Sequence, residues 1–228
     1  MVIDAGHGGR DPGAPGAIDD LWEKDVTLAL ARALREELAA SGRVRVALTR
    51  DSDIFLPLEQ RYAMARRLGA DLFISVHADA APSNDNASGA TIYTLSEVAS
   101  DREAALLAQR QNEADAVGGA AMSSDEGVNL ILIDLAQRES METSARFADI
   151  LHREASPLFT FQENWHRFAA FVVLKAPDVP SILFEAGYIT SEADARYLAS
   201  SEGRREIATG FRRAIEAHFA PRFLSAER

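Results

Sequence analysis

The sequence predicts a single α/β domain with a central, twisted and mostly parallel sheet of about six strands and helices on both faces. Apolar, strand-like runs alternate along the chain with segments of helical periodicity, which is the pattern of a parallel sheet covered by helices. Polar side chains follow several of the apolar runs, as expected where such sheets bind ligands. The length of 228 residues and the hydrophobic content of 47% suit one domain with a full core.

The predicted strands are short apolar runs bounded by turn-forming residues. In chain order they are residues 2–5, 44–49, 72–77, 89–95, 171–174 and 181–185. The first run opens into a glycine-rich loop, and the third run ends at His77. Glycines in such a loop allow positive φ and close approach of a ligand.

The predicted helices are segments in which apolar residues recur at a spacing of three and four. They are residues 26–40, 58–68, 99–117, 129–155, 192–198 and 202–219. Gly42 and Gly69 mark the ends of the first two. The segment 96–168 is longer than a simple crossover needs, so it is predicted to be a helical insert between strands 4 and 5, within one domain of residues 1–228.

Composition narrows the classes of function. A net charge of -11 argues against nucleic acid or an anionic membrane surface as the main partner. The chain has no cysteine, so any metal must be bound by His, Asp or Glu. The sequence contains no apolar run long enough to span a membrane. Because the first strand begins directly after Met1, we expect an excised domain whose upstream targeting sequence is missing.

Four residues are candidates for chemistry. His7, His77 and Glu185 lie at the ends of apolar strands, where ligands gather in open α/β sheets. Glu23 lies at the head of the first helix and can point over the same edge. Two histidines and one carboxylate form a set typical of catalytic zinc, which keeps a fourth position open. On this interpretation Glu185 is the general base.

Each candidate also has a structural interpretation. His7 could be a surface residue of a tight turn, Glu23 an acid favoured by the helix dipole, and Glu185 a buried, paired carboxylate. For four other residues, a structural role is favoured over a functional one. His152 and His218 are predicted on solvated helix faces. Arg61 is interpreted as an ion-pair donor in preference to a contact with a substrate carboxylate, and Trp165 as a packing residue, with sugar stacking left open.

Several motifs together resemble the zinc-dependent N-acetylmuramoyl-L-alanine amidases of the amidase_3 type. They are residues 4–14, 23–25, 49–50, 70–79 and 184–190, together with Arg61. Residues 169–175 and the long insert are similar to the cell-division amidases of Gram-negative bacteria.

The resemblance implies that His7, Glu23 and His77 bind Zn²⁺ and that Glu185 is the catalytic glutamate. The substrate would be peptidoglycan, cleaved between the lactyl group of N-acetylmuramic acid and L-alanine of the stem peptide for daughter-cell separation. Periplasmic localisation follows from the same resemblance. Two other functions stay open: a zinc carboxypeptidase-like hydrolase and an inactive cell-wall binding module.

The resemblance also implies regulation through the insert. A LytM-type activator is expected to dock there, with Leu130 and Ile133 on the apolar docking surface. Burial of this apolar segment in the core is the structural alternative. The segment 99–117 is expected to cover the site and inhibit it. Glu113 would then be the fourth, inhibitory zinc ligand, with Glu103 or Asp115 as alternatives.

Overall fold

The computed structural model describes residues 1–81, 87–117 and 130–226, with the backbone alone for 130–134 and 222–226. The described residues form a six-stranded sheet in the order β2-β1-β3-β6-β4-β5. The strands are β1 (Val2–Ala5), β2 (Ala47–Leu48), β3 (Phe73–Asp79), β4 (Ala90–Leu95), β5 (Phe161–Ala169) and β6 (Ser181–Tyr188). Neighbouring strands pair in parallel, except that β4 is antiparallel to β6. The predicted fold class is confirmed.

Helices cover both faces of this sheet. They are α1 (Glu23–Ala40), α2 (Leu58–Arg67), α3 (Arg102–Asn112), α4 (Ala114–Val117), α5 (Leu130–Ala155), α6 (Glu192–Ala199) and α7 (Ser201–Ala226). One core cluster joins α1, α5 and α7 to the sheet, and the other joins α2 and α3 to its opposite face. Along β3, Ile74 and Val76 belong to the first cluster and Phe73 to the second, as the alternation of a strand requires. None of the described helices is long and apolar enough to cross a bilayer.

The prediction of a fifth strand at residues 171–174 is wrong. Val172–Leu174 forms a short 3₁₀ helix, and the fifth strand is β5, Phe161–Ala169. The 3₁₀ segment packs in the core beside α2, with Val173 and Leu174 buried. A short apolar run can be buried as a strand or as a 3₁₀ helix, so its hydrophobicity does not distinguish the two conformations.

The predicted helical insert lies between β4 and β5 and contains α3, α4 and α5. Parts of it are integral to the fold. Phe147 and Leu151 of α5 are fully buried against the sheet and α7, and Leu107 of α3 is buried in the second core cluster. The end of the predicted range 96–168 is the edge strand β5.

A buried ion pair links β1 to α2. The carboxylate of Asp4 accepts hydrogen bonds from Thr49 Oγ1 at 2.6 Å, Ser75 Oγ at 2.7 Å and Arg61 Nη1 at 3.0 Å. Burial alone would raise the pKa of Asp4, but Arg61 and the two hydroxyl groups outweigh it and hold the pKa below its usual value. The structural interpretation of Arg61 is therefore confirmed.

We expect Arg61→Ala to lower the free energy of unfolding by about 3–5 kcal/mol, because it leaves the buried Asp4 carboxylate without its ion partner. Arg66→Ala is the matched control on the same helix, since Arg66 pairs with Asp178 at the exposed surface. The control should change stability by about 1 kcal/mol or less. Urea denaturation measures both changes, and equal effects of the two variants would contradict the assigned role of Arg61.

Candidate active site

The candidate site lies at the carboxyl ends of three adjacent parallel strands, β1, β3 and β6. His77 of β3 and Glu185 of β6 are register partners. Partners on neighbouring strands point to the same face of a sheet, so both side chains lie on the face that α2 and α3 cover. His7 follows the end of β1, and Glu23 is the first residue of α1.

Two buried arginines hold the loop that carries His7. Arg50 donates from Nε to the carbonyl of Ala5 at 3.0 Å and from Nη2 to that of Gly6 at 2.8 Å. Arg61 donates to the carbonyls of Ala5 at 2.8 Å and His7 at 2.9 Å. His7 itself has a φ of 59°, in the left-handed region that non-glycine residues rarely adopt. These bonds stabilise a backbone conformation that turns the imidazole toward the sheet edge.

His7, Glu23 and His77 converge as the sequence predicts. His7 Nε2 lies 3.0 Å from Glu23 Oε1, and His77 Nδ1 lies 3.1 Å from the same oxygen. One ligand atom from each residue lies within 4.8 Å of the others, and all three side chains are buried. Within the described part of the chain, this is the one group of three or more His, Cys, Asp or Glu residues with such spacing.

Neighbouring groups fix the orientation of these side chains. Asp11 Oδ2 lies 2.8 Å from His7 Nδ1, which leaves Nε2 to face the cluster. Glu23 accepts backbone hydrogen bonds from Ala14 at 3.0 Å on Oε2 and from Ala78 at 3.1 Å on Oε1. Partners of this kind commonly orient the ligands of a metal.

Two glycines are needed because the ligands pack against the backbone. Gly13 has a φ of +67°, and a Cβ there would lie 2.7 Å from Glu23 Oε2 and 2.9 Å from His7 Cδ2. A Cβ at Gly6 would overlap the imidazole of His77. Glycines in this loop therefore allow the side chains of His7, Glu23 and His77 to pack directly against the backbone, and they also allow the chain to turn.

The donor set fits a divalent metal ion. His7 Nε2 is buried and faces the carboxylate oxygen Glu23 Oε1 at 3.0 Å. Burial alone would lower the pKa of His7, but Glu23 and Asp11 outweigh it and raise the pKa to about 9. A positive charge is therefore favoured at this position. Burial lowers the pKa of His77 and favours its neutral, ligating form.

Glu185 has an unusual environment for a carboxyl group. It is 2% exposed, and neither of its oxygens has a hydrogen-bond partner among the described residues. Burial, then the charges of Asp79 and Glu23, raise its pKa well above the usual value, while Arg110 opposes this shift. A buried carboxyl group whose pKa is raised in this way suits general acid–base chemistry.

Sequence reasoning missed Asp79 and Arg110 at this edge. Asp79 ends β3, and its carboxylate accepts a hydrogen bond from Arg110 Nη2 at 3.1 Å. Burial is the main cause that raises the pKa of Asp79 to about 6. Asp79 falls within the motif 70–79, but the predicted strand ends at His77, and no role follows for the acid two positions later. Arg110 lies 31 residues away, on the helix expected to cover the site, and no local pattern pairs it with Asp79.

The proposed inhibitory ligands lie outside the cluster. Glu113 is the exposed C-cap of α3 and accepts a hydrogen bond from Gln109 at 3.0 Å. Glu103 pairs with Arg167 at 2.8 Å, and Asp115 accepts from the backbone N–H of Leu58 at 2.8 Å. The described structure does not bring any of the three acids to the metal ligands.

Two of the remaining histidines, His152 and His218, have packing roles. His152 is partly buried and stacks on Trp165 with a centroid distance of 4.0 Å, so the prediction of a solvated face is wrong for it. Trp165 also packs against the first core cluster, as predicted. His218 is partly buried too and meets Phe147 edge to face.

Known proteins are similar to this chain over most of its length. Residues 1–217 match the family described as Amidase_3, N-acetylmuramoyl-L-alanine amidase. The N-acetylmuramoyl-L-alanine amidase AmiC of Escherichia coli O6:H1 (strain CFT073) is 38% identical over 221 residues, which cover 96% of this chain and 52% of that protein. AmiA of Escherichia coli (strain K12) is also 38% identical over 221 residues, with 96% of this chain and 75% of that protein covered.

A solved structure shows the same fold. The amidase AmiC2 of Nostoc punctiforme is 28% identical, has a TM-score of 0.67 and aligns over 96% of each chain. This chain spans about half the length of AmiC. The resemblance seen in the sequence motifs is confirmed, and the chain belongs to the Amidase_3 family of N-acetylmuramoyl-L-alanine amidases.

Proposed function

We propose that this domain is a zinc-dependent hydrolase of peptidoglycan that cleaves the amide between the lactyl group of N-acetylmuramic acid and L-alanine. One observation carries the proposal. The buried carboxyl of Glu185, which has no hydrogen-bond partner among the described residues, lies in register with His77 of the three-residue cluster. A candidate acid–base group and a candidate metal site thus share one sheet edge.

His7, Glu23 and His77 would hold the metal through His7 Nε2, a Glu23 carboxylate oxygen and His77 Nδ1. When bound, zinc supplies a Lewis acid that polarises the amide carbonyl and lowers the pKa of water.

The chain's own residues account for proton transfer and orientation. Glu185 would accept a proton from the attacking water and donate it to the departing alanine nitrogen, since an amide nitrogen leaves readily only when protonated. Its raised pKa allows one carboxyl group to do both. Asp11 holds the His7 ring, and the N–H groups of Ala14 and Ala78 hold Glu23, so the ligands need little reorganisation.

Two other functions are less well supported. A zinc carboxypeptidase would act at a terminal carboxylate, and an inactive wall-binding module would need no acid–base group beside its metal ligands. The arrangement around Glu185 favours the amidase over the binding module. Mass spectrometry of muropeptides separates the three, because the amidase alone releases intact stem peptides from the glycan.

The cellular setting is part of the proposal. Family membership supports action on the periplasmic cell wall during daughter-cell separation. A LytM-type activator is proposed to dock on the insert. The side chains of Leu130 and Ile133, predicted for that surface, lie outside those that the structure describes. Charged substitutions at both positions should weaken activator capture in a pull-down if this assignment is right.

The first test concerns the metal. We expect His77→Ala to lose both bound zinc and muropeptide cleavage, because it removes one of three protein ligands. His152→Ala is the control, since His152 stacks on Trp165 away from the cluster. Atomic absorption and a muropeptide digest measure the two effects. Stoichiometric zinc with full turnover in His77→Ala would refute the ligand assignment.

The second test separates proton transfer from metal binding. Glu185→Gln preserves the shape of the side chain but cannot act as a base, so we expect kcat to fall by about 10²–10⁴-fold while zinc content stays near that of the wild type. Glu163→Gln, at an exposed position of β5, is the matched control. Retained turnover in Glu185→Gln would move the base to another residue.

Autoinhibition by Glu113 is the third part of the proposal. Since Glu113 is exposed and bonded to Gln109, it could reach the metal ligands only through a change in the position of α3 or α4. On this proposal Glu113→Ala raises basal activity on purified peptidoglycan. Gln109→Ala breaks the same hydrogen bond but keeps the carboxylate, and should leave basal activity unchanged. If both variants match the wild type, Glu113 has no inhibitory role.

A further inference from the structure

Helix α3 is fixed beside the candidate site by polar contacts along its length. Near its start, Glu103 pairs with Arg167 of β5 at 2.8 Å. At its end, the Asn112 side chain donates to the carbonyl of Ala170 at 2.9 Å and accepts from the N–H of Val172 at 2.8 Å. Together with the burial of its apolar face, these contacts make α3 part of the framework of the site.

Arg110 is the residue that α3 places at the end of β3. Its Nη2 donates to Asp79 Oδ1 at 3.1 Å, and its Nη1 donates to the carbonyl of Ala80 at 3.2 Å. Asp79 lies two residues after His77, and the charge of Arg110 reaches Glu185, whose pKa it lowers. The guanidinium therefore lies at the end of the strand that carries His77, and its charge acts on the candidate acid–base residue Glu185.

The guanidinium of Arg110 can bind more than its present partners. A guanidinium has five N–H donors, and the contacts with Asp79 and Ala80 use one donor each. The side chain is 50% exposed, so the other donors are open to a ligand. A planar, permanently charged guanidinium is well suited to bind a carboxylate.

Three other cations described at this edge are already engaged. Arg50 and Arg61 are buried and bind backbone carbonyls, and the ammonium of Lys24 binds Asp53 and the carbonyl of Gly9. By contrast, the edge carries several carboxyl groups: those of Asp11, Glu23, Asp79 and Glu185. An acidic group of a substrate therefore needs a positive charge here, and the half-exposed Arg110 supplies one at the end of β3. Arg10, exposed in the loop after β1, lies over the ring of Phe55 instead.

We propose that Arg110 binds a carboxylate of the substrate's stem peptide, on the residue that follows L-alanine. This inference rests on the proposed amidase function. Glu185 would protonate the departing alanine nitrogen, so the stem peptide leaves from the side of Glu185 and Arg110. Consecutive Cα atoms are about 3.8 Å apart, and a carboxylate one residue beyond alanine lies within reach of a flexible arginine. Arg110 thus selects acidic stems over stems in which this carboxylate is amidated.

The test compares two synthetic substrates on zinc-loaded protein. Both substrates begin with N-acetylmuramoyl-L-alanine. In one, the next residue is glutamate. In the other, it is the same residue with its α-carboxylate amidated. We expect wild-type kcat/KM to be about tenfold or more higher for the free acid, because a charged hydrogen-bonded pair is lost with the amide. In Arg110→Gln the ratio of kcat/KM for the free acid to kcat/KM for the amidated substrate should fall to about one, because the KM for the free acid rises.

Two further variants separate binding from a structural role. Arg110→Lys keeps the charge and should retain part of the preference. Arg102→Gln removes an exposed arginine from the first turn of α3 and should leave the preference unchanged. Thermal unfolding verifies that each variant is folded.

The outcomes are distinguishable. Equal cleavage of both substrates by the wild type, or an equal loss on both in Arg110→Gln, would overturn the role of Arg110 while the amidase function stands. If neither the wild type nor Glu113→Ala, which lacks the proposed inhibitory carboxylate, cleaves either substrate, the proposed function itself is wrong, and this inference is wrong with it.

Discussion

The site depends on how two buried arginines bind the backbone after β1. The carbonyls of Ala5, Gly6 and His7 leave the sheet at this point, and buried carbonyls without partners are costly. Arg50 and Arg61 supply the donors from two different segments of the chain. Because Arg61 also neutralises Asp4, the same side chain ties α2 to the sheet and fixes the loop that carries His7, the first candidate metal ligand.

Two buried carboxyl groups on one face of the sheet, those of Asp4 and Glu185, have opposite pKa shifts because their hydrogen-bond partners differ. Asp4 accepts hydrogen bonds from three side chains, and its pKa is lowered. Glu185 has no such partners among the described residues, and burial raises its pKa. The first group is held in its charged form as a structural anchor. The second has a raised pKa, which is what the acid–base role proposed for it requires.

The insert has two different roles in the fold. The C-terminal part of α5 packs in the main core, and α3 covers the opposite face of the sheet. A helix fixed in this way can present a residue such as Arg110 in a defined position, whereas a helix that covers and uncovers a site must break such contacts. Substrate selection thus requires α3 to stay in place, whereas regulation requires it to move. In the described position, polar contacts hold α3 in place.

The sequence by itself determined the α/β class, and it predicted the three candidate ligands that the fold brings together and the candidate acid–base residue. Alternating strand and helix patterns and polar residues at strand ends are local signals, and parallel strands bring their carboxyl ends together. The tertiary structure alone decided that Phe161–Ala169 is the edge strand, that Asp79 and Arg110 meet beside Glu185, and that Glu113 points away. These features depend on contacts between segments distant in the chain, such as the 31 residues that separate Asp79 from Arg110. Local periodicity carries no information about such contacts, because packing against other elements selects them.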